Sequence, residues 1–105
     1  MTDPTPPRPD TGQRILAAGI DTHYHDQGSG FPLLMLHGSG PGVSAWANWR
    51  LVLPGLATQR RVLAPDLVGF GWTERPANPD YSLDGWVAHV LGLLDALGIA
   101  QTDLV

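Results

Sequence analysis

The chain has 105 residues, a formal net charge of −4 and 43% hydrophobic residues, enough for one domain with a modest core. The acidic balance argues against nucleic acid and anionic membrane as partners. All six cationic residues are arginine and cysteine is absent, which excludes a lysine Schiff base, a P-loop lysine, disulfides, thiol catalysis and cysteine-bound zinc within these residues.

Residues 1–12 carry four prolines, two aspartates and an arginine without an apolar core, so they do not read as a secretory signal. They are expected to form a disordered leader, with the folded domain over 13–105. No apolar run approaches the roughly 20 residues that span a bilayer. These features are compatible with a cytoplasmic address.

Arg14 to Ala18 predicts a first strand, and Gly19 signals a turn. Ile20 to His25 alternates, with Ile20, Thr22 and Tyr24 on one face, and predicts a second strand. The pair reads as a hairpin at a sheet edge, which puts His23 and His25 together on its solvent face. Leu33 to Leu36 is apolar on both faces, as in a strand covered by helices.

Trp46, Trp49, Leu53 and Leu56 recur at helical spacing, so a first helix is expected over 46–56, with Pro54 in conflict with it. Arg61 to Ala64 predicts a fourth strand. A long loop follows from Pro65 to Pro79, punctuated by Gly69, Gly71 and Pro76. The second helix starts at an N-cap, Ser82, carries Asp84 in its first turn and ends at Gly98. Its apolar face comprises Leu83, Trp86, Val87, Val90, Leu91, Leu94 and Leu97, which leaves His89 off the stripe and expected to be exposed. Asp103 to Val105 begins another buried strand. The order is an edge β-hairpin followed by β-α-β-α-β, which predicts an α/β fold with a mostly parallel sheet and helices on both faces.

The chemistry concentrates in two loops. His37-Gly38-Ser39-Gly40-Pro41-Gly42 follows a predicted central strand at its carboxyl end, where open α/β sheets bind ligands. Its glycines let backbone N–H groups approach a developing oxyanion, with the Ser39 N–H as one donor. The alternative is a tight strand-to-helix turn. A dinucleotide site is a further alternative, but the glycines run G-x-G-x-G, Pro41 interrupts the helix start, and the candidate ribose acid, Asp66, comes late. His37 fits a support for the turn better than a general base. Asp66 fits a carboxylate that accepts loop N–H bonds better than a catalytic acid. His23 and His25 could share a metal, but no convergent carboxylate is evident. No serine lies in a G-x-S-x-G elbow; Gly42-Val43-Ser44-Ala45-Trp46 fails at the last glycine, and Ser44 reads as a helix start.

The segment from His37 to Arg50, His-Gly-Ser-Gly-Pro-Gly-Val-Ser-Ala-Trp-Ala-Asn-Trp-Arg, resembles the meta-cleavage product hydrolases. These are α/β-hydrolases that cut carbon–carbon bonds in vinylogous 1,5-diketones. Ala64 to Pro76, Trp86 to His89 and Leu94 to Gly98 extend the likeness over about residues 13–105. Within the group, the chain is most similar to the 2-hydroxymuconate semialdehyde hydrolases.

The resemblance implies a cofactor-independent, metal-free enzyme of aromatic catabolism acting on a small-molecule substrate, whose relatives often form homo-oligomers. It implies that the Ser39 N–H is an oxyanion-hole donor flanked by Gly38 and Gly40, that Asn48 is a polar substrate contact, and that His37 and Asp66 are structural. The family's serine, acid and histidine, and its lid, correspond to positions beyond Val105. The chain is therefore expected to be the N-terminal part of the fold, ending before the nucleophile elbow and inactive alone. An esterase, a dehalogenase or an epoxide hydrolase on the same fold, and a non-catalytic module, are the alternatives.

Overall fold

The computed structural model describes residues 12–40, 42–78 and 80–105. The leader expected over 1–12 thus lies, apart from Gly12, outside the described residues. Five strands, β1 (Gln13–Ala17), β2 (Ile20–Gln27), β3 (Pro32–Leu34), β4 (Arg61–Pro65) and β5 (Asp103–Leu104), form one sheet in the order β1-β2-β4-β3-β5. The sheet is mixed: β4, β3 and β5 run parallel, while β1–β2 and β2–β4 are antiparallel. The β3 ladder continues past Leu34, with Met35 N–H donating to Leu63 O and Leu36 N–H to Val105 O.

The hairpin closes on Ala18 and Gly19, both at positive φ (52° and 78°), the primed turn that matches strand twist. Only β1 is an edge. β2 is sandwiched between β1 and β4, so the expectation that its histidines face solvent fails: Thr22, His23, Tyr24 and His25 are all buried.

The helix expected over 46–56 is two short helices, α1 (Ala45–Trp49) and α2 (Leu53–Leu56). Pro54 is the reason. It sits in the first turn of α2, where a missing N–H breaks no bond, and the chain restarts its helix there. Ser44 caps α1 by accepting the Ala47 N–H at 3.0 Å. The third helix, α3 (Leu83–Ala96), begins at Ser82, whose hydroxyl accepts the Gly85 N–H at 3.0 Å. Gly98 terminates it at φ 70°.

The β3-to-β4 and β4-to-β5 connections cross the sheet in opposite directions, so right-handed crossovers set α1 and α2 on one face and α3 on the other. Leu33, Met35, Ala45, Leu53, Val62 and Ala64 form the core under α1 and α2. Ala17, Tyr24 and Leu93 form a smaller cluster under α3. Among the described residues, no helix is long and apolar enough to cross a membrane.

Candidate functional site

The carboxyl ends of β3 and β4 lie side by side where the crossover direction reverses, the crevice in which open α/β sheets bind ligands. β3 feeds the turn from His37 to Ser44, and β4 feeds the loop from Asp66 to Thr73. Pro41 lies outside the described residues.

Asp66 is buried at the end of β4 and has three donors. Its Oδ1 accepts the Ala45 N–H at 2.7 Å; its Oδ2 accepts the Trp72 N–H at 2.9 Å and His23 Nδ1–H at 2.9 Å. Burial pushes its carboxyl pKa up, but the bonds from His23, Trp72 and Ala45 outweigh that and hold it below the usual carboxylate value. The backbone of Asp66 is held as well: its N–H donates to His23 O at 2.9 Å, and its carbonyl accepts Thr73 Oγ1–H at 2.6 Å.

Two histidines hold the residues that follow. Leu67 N–H donates to His37 Nε2 at 3.0 Å, and Val68 N–H donates to His89 Nδ1 at 3.2 Å. Each ring therefore accepts through one nitrogen and carries its proton on the other. His37 Nδ1–H donates to Gly38 O at 2.6 Å, and His89 Nε2–H donates to Thr22 Oγ1 at 2.7 Å. The two rings are opposite neutral tautomers doing the same work on adjacent amides. Trp86 Nε1–H completes the hold by donating to Val68 O at 2.9 Å.

The expectation that His89 is exposed is overturned: it is 2% exposed and lies between α3 and β2. Burial pushes its pKa down. His25 is also pushed down, first by burial and then by neighbouring His23, with Asp66 opposing. Its ring packs against Trp46 at 5.4 Å and edge-on to His23 at 5.2 Å. The His23–His25 pair thus lies under α1 with one ring committed to Asp66. Among the described residues, no three His, Asp or Glu side chains converge as a metal site requires.

Beside this scaffold runs an open apolar groove of about 570 Å³. Leu34, Leu36 and Leu104 contribute from the sheet, Val87, Leu91 and Leu94 from α3, and His37, Gly38 and Ser39 close one end. Most of the predicted apolar stripe of α3 lines this groove, and Leu83, Val87 and Leu91 remain exposed. The face of α3 that meets the β1–β2 hairpin carries His89, Gly92 and Leu93 instead. Gly92, at i+3 from His89, is the sequence signal for this face, since glycine admits close backbone approach to Ala18.

Ser39 and Gly38 are exposed at the groove, whereas Gly40 lines a separate, more polar pocket with Gly42, Ser44 and Arg75. Asn48 is exposed on α1 and lines neither cavity. His23, Thr73, His89 and Trp86 are members of the site's framework that the motif reading missed.

The sequence model of the alpha/beta hydrolase fold matches residues 32–105. The chain belongs to the α/β-hydrolase family. It is 64% identical over 97 residues to the 2-hydroxymuconate semialdehyde hydrolase of Pseudomonas sp. (strain CF600), covering 92% of this chain and 34% of that protein. It is 56% identical over 94 residues to a 2-hydroxy-6-oxo-2,4-heptadienoate hydrolase of Pseudomonas putida, covering 90% and 34%. The meta-cleavage product hydrolase CumD from Pseudomonas fluorescens IP01 superposes with a TM-score of 0.87 at 57% identity, over 89% of this chain and 34% of that one. An epoxide hydrolase from Vigna radiata superposes at 0.78 with 34% identity, over 89% and 29%. The chain thus spans about a third of the length of the curated relatives it matches. Membership of this family makes the glycine turn part of an α/β-hydrolase rather than a dinucleotide fold.

Proposed function

We propose that the intact protein carrying this chain hydrolyses a carbon–carbon bond in a vinylogous 1,5-diketone of the 2-hydroxymuconate semialdehyde type. The observation that carries the proposal is the 64% identity to a hydrolase of that name across 92% of the chain. The likeness to epoxide hydrolases is weaker in both identity and superposition.

In this reading the chain supplies half of an oxyanion hole. The dienol substrate first takes a proton on carbon and becomes a ketone. Water, activated by or acting through a serine from polypeptide beyond Val105, adds its oxygen to the remote carbonyl. Negative charge then collects on the carbonyl oxygen, and the Ser39 N–H donates to it. The carbon–carbon bond breaks, its electron pair leaves on the dienolate, and a carboxylic acid remains. Gly38 and Gly40 keep the approach to Ser39 open, and the resemblance alone assigns Asn48, exposed on α1 outside both cavities, a polar contact with the substrate. His37 and Asp66 hold the turn. The same reading makes the protein a cytoplasmic homo-oligomer that needs no metal or organic cofactor.

The test is turnover of 2-hydroxymuconate semialdehyde by the intact protein, followed by loss of its dienolate absorbance, with Ser39→Pro beside it. Proline removes the N–H, and kcat should fall on the order of 100-fold or more. No turnover by the wild type sinks the activity. Unchanged kcat in a folded Ser39→Pro variant sinks the role of Ser39.

A further inference from the structure

The Gly38 carbonyl and the Ser39 N–H belong to one trans peptide unit, so they point in opposite directions and turn together. His37 Nδ1–H grips that carbonyl at 2.6 Å. The far nitrogen of the same ring is pinned by Leu67 N–H at 3.0 Å, and the ring stands edge-on to Phe70 at 5.0 Å and 67°. His37 is buried, while Gly38 and Ser39 are exposed. Nothing lies within 4 Å of where a Gly38 side chain would start, so packing does little to fix this peptide. Among the described residues, no hydrogen bond engages the Ser39 N–H.

From this geometry we infer that His37 is a positioning residue that sets the rotation of the Gly38–Ser39 peptide, and so aims and strengthens the Ser39 N–H as an oxyanion donor. The inference rests on the proposed role of Ser39. A hydrogen bond accepted by an amide carbonyl polarises the amide and makes its N–H a better donor. A preorganised donor needs no reorientation as charge develops. The arrangement requires the neutral ring with its proton on Nδ1, because Nε2 must stay free to accept Leu67 N–H.

Two substitutions in the intact enzyme separate aiming from mere support. Asn at position 37 offers an amide N–H where Nδ1 stood and nothing to Leu67; Gln offers an oxygen where Nε2 stood and nothing to Gly38. His37→Gln should lower kcat by about 30- to 300-fold with KM changed less than about threefold, in keeping with loss of an oxyanion contact. His37→Asn should recover at least about tenfold of that loss while unfolding at lower urea. Equal kcat in the two folded variants, or kcat that follows their stability, overturns the inference. A second readout needs no variant: ¹⁵N NMR of the wild-type imidazole should show His37 protonated on Nδ1 only, and protonation on Nε2 overturns it. An inactive wild type would instead strike down the proposed reaction, which this tautomer measurement does not touch.

Discussion

Asp66 Oδ1 accepts the Ala45 N–H at 2.7 Å, and that bond fastens the carboxyl end of β4 to the first turn of α1, 21 residues earlier in sequence. The other carboxylate oxygen ties the same point to Trp72 and His23. One buried anion therefore fixes both walls of the crevice, the exit of the glycine turn on one side and the loop after β4 on the other. Asp66→Asn keeps the shape but turns an amide toward donors. We expect a loss of about 3 kcal/mol in urea unfolding of the intact protein. The folded-state pKa lies below the unfolded one, so this stabilisation is present above about pH 4 and disappears as pH falls through the depressed value. The stability gap between wild type and variant should therefore narrow in acid. A gap that stays constant well below pH 4 would show that the charge is not what matters.

Gly71 has φ 53°, and a Cβ there would run into the Asp66 carboxylate. The left-handed conformation alone costs alanine about 1–2 kcal/mol. Displacing a buried, triply bonded carboxylate adds to that, so Gly71→Ala should cost about 3 kcal/mol or more in total. The two parts are separable by a double-mutant cycle. In an Asp66→Ala background the collision is gone, and the added cost of Gly71→Ala should fall to the backbone component of about 1–2 kcal/mol. Strict additivity in urea denaturation would mean the collision is relieved some other way.

The strand alternation, the glycine turn after β3 and the caps of α3 show in the sequence because each rests on local chemistry; Pro54 shows there as a conflict within a helix over 46–56, but not the restart that makes two helices of it. What did not show depends on which neighbour arrives. β2 reads as an edge strand because its alternating polar residues look solvated, yet β4 pairs with its outer side and α1 covers His23 and His25. The stripe of α3 reads as core because it is apolar, yet it lines an open groove while Gly92 and His89 meet the hairpin and β2. A buried histidine whose two nitrogens are both bonded is indistinguishable in sequence from a solvated one. Asp66 showed its position but not its partners, since Ala45 and His23 come from elements far away along the chain.

His89 and His25 make the fold acid-sensitive. His89 must be neutral to accept the Val68 N–H, and burial lowers its pKa; His25 is lowered in the same direction. For both, the unfolded chain binds a proton more readily than the folded one. Their stabilising contribution is complete above about pH 6.5 and is eroded as pH falls below that value, by at most about 1.4 kcal/mol per pH unit for each ring. The melting temperature of the intact protein should therefore drop between pH 7.5 and 5.5. His89→Asn puts an amide oxygen where Nδ1 stood, for Val68, without the titration, and its drop should be smaller, though not absent while His25 remains. Parallel pH profiles for wild type and variant would remove His89 from the account.

Gly92 sits in the middle of α3, where glycine costs about 1 kcal/mol relative to alanine, so Gly92→Ala on an exposed face would stabilise the helix by that amount. Here the sign should reverse. A Cβ at Gly92 would lie 2.5 Å from Ala18 N and 2.8 Å from Ala18 Cβ, in the tight turn that joins β1 to β2. Neither partner can yield easily. Ala18 is already held at φ 52°, and α3 is anchored to β2 through His89 and Thr22 on one side of the contact and through Leu93 packing on the other. Separating helix from hairpin would expose Ala17, Tyr24 and Leu93, and overpacking of this kind costs about 1–3 kcal/mol, more than the helix gains. Gly92→Ala should therefore lower the urea midpoint of the intact protein. Ala18→Gly in the same background removes one of the two colliding atoms and relaxes the turn, so it should restore part of the loss. A Gly92→Ala variant more stable than wild type would mean that α3 is free to move away from the hairpin.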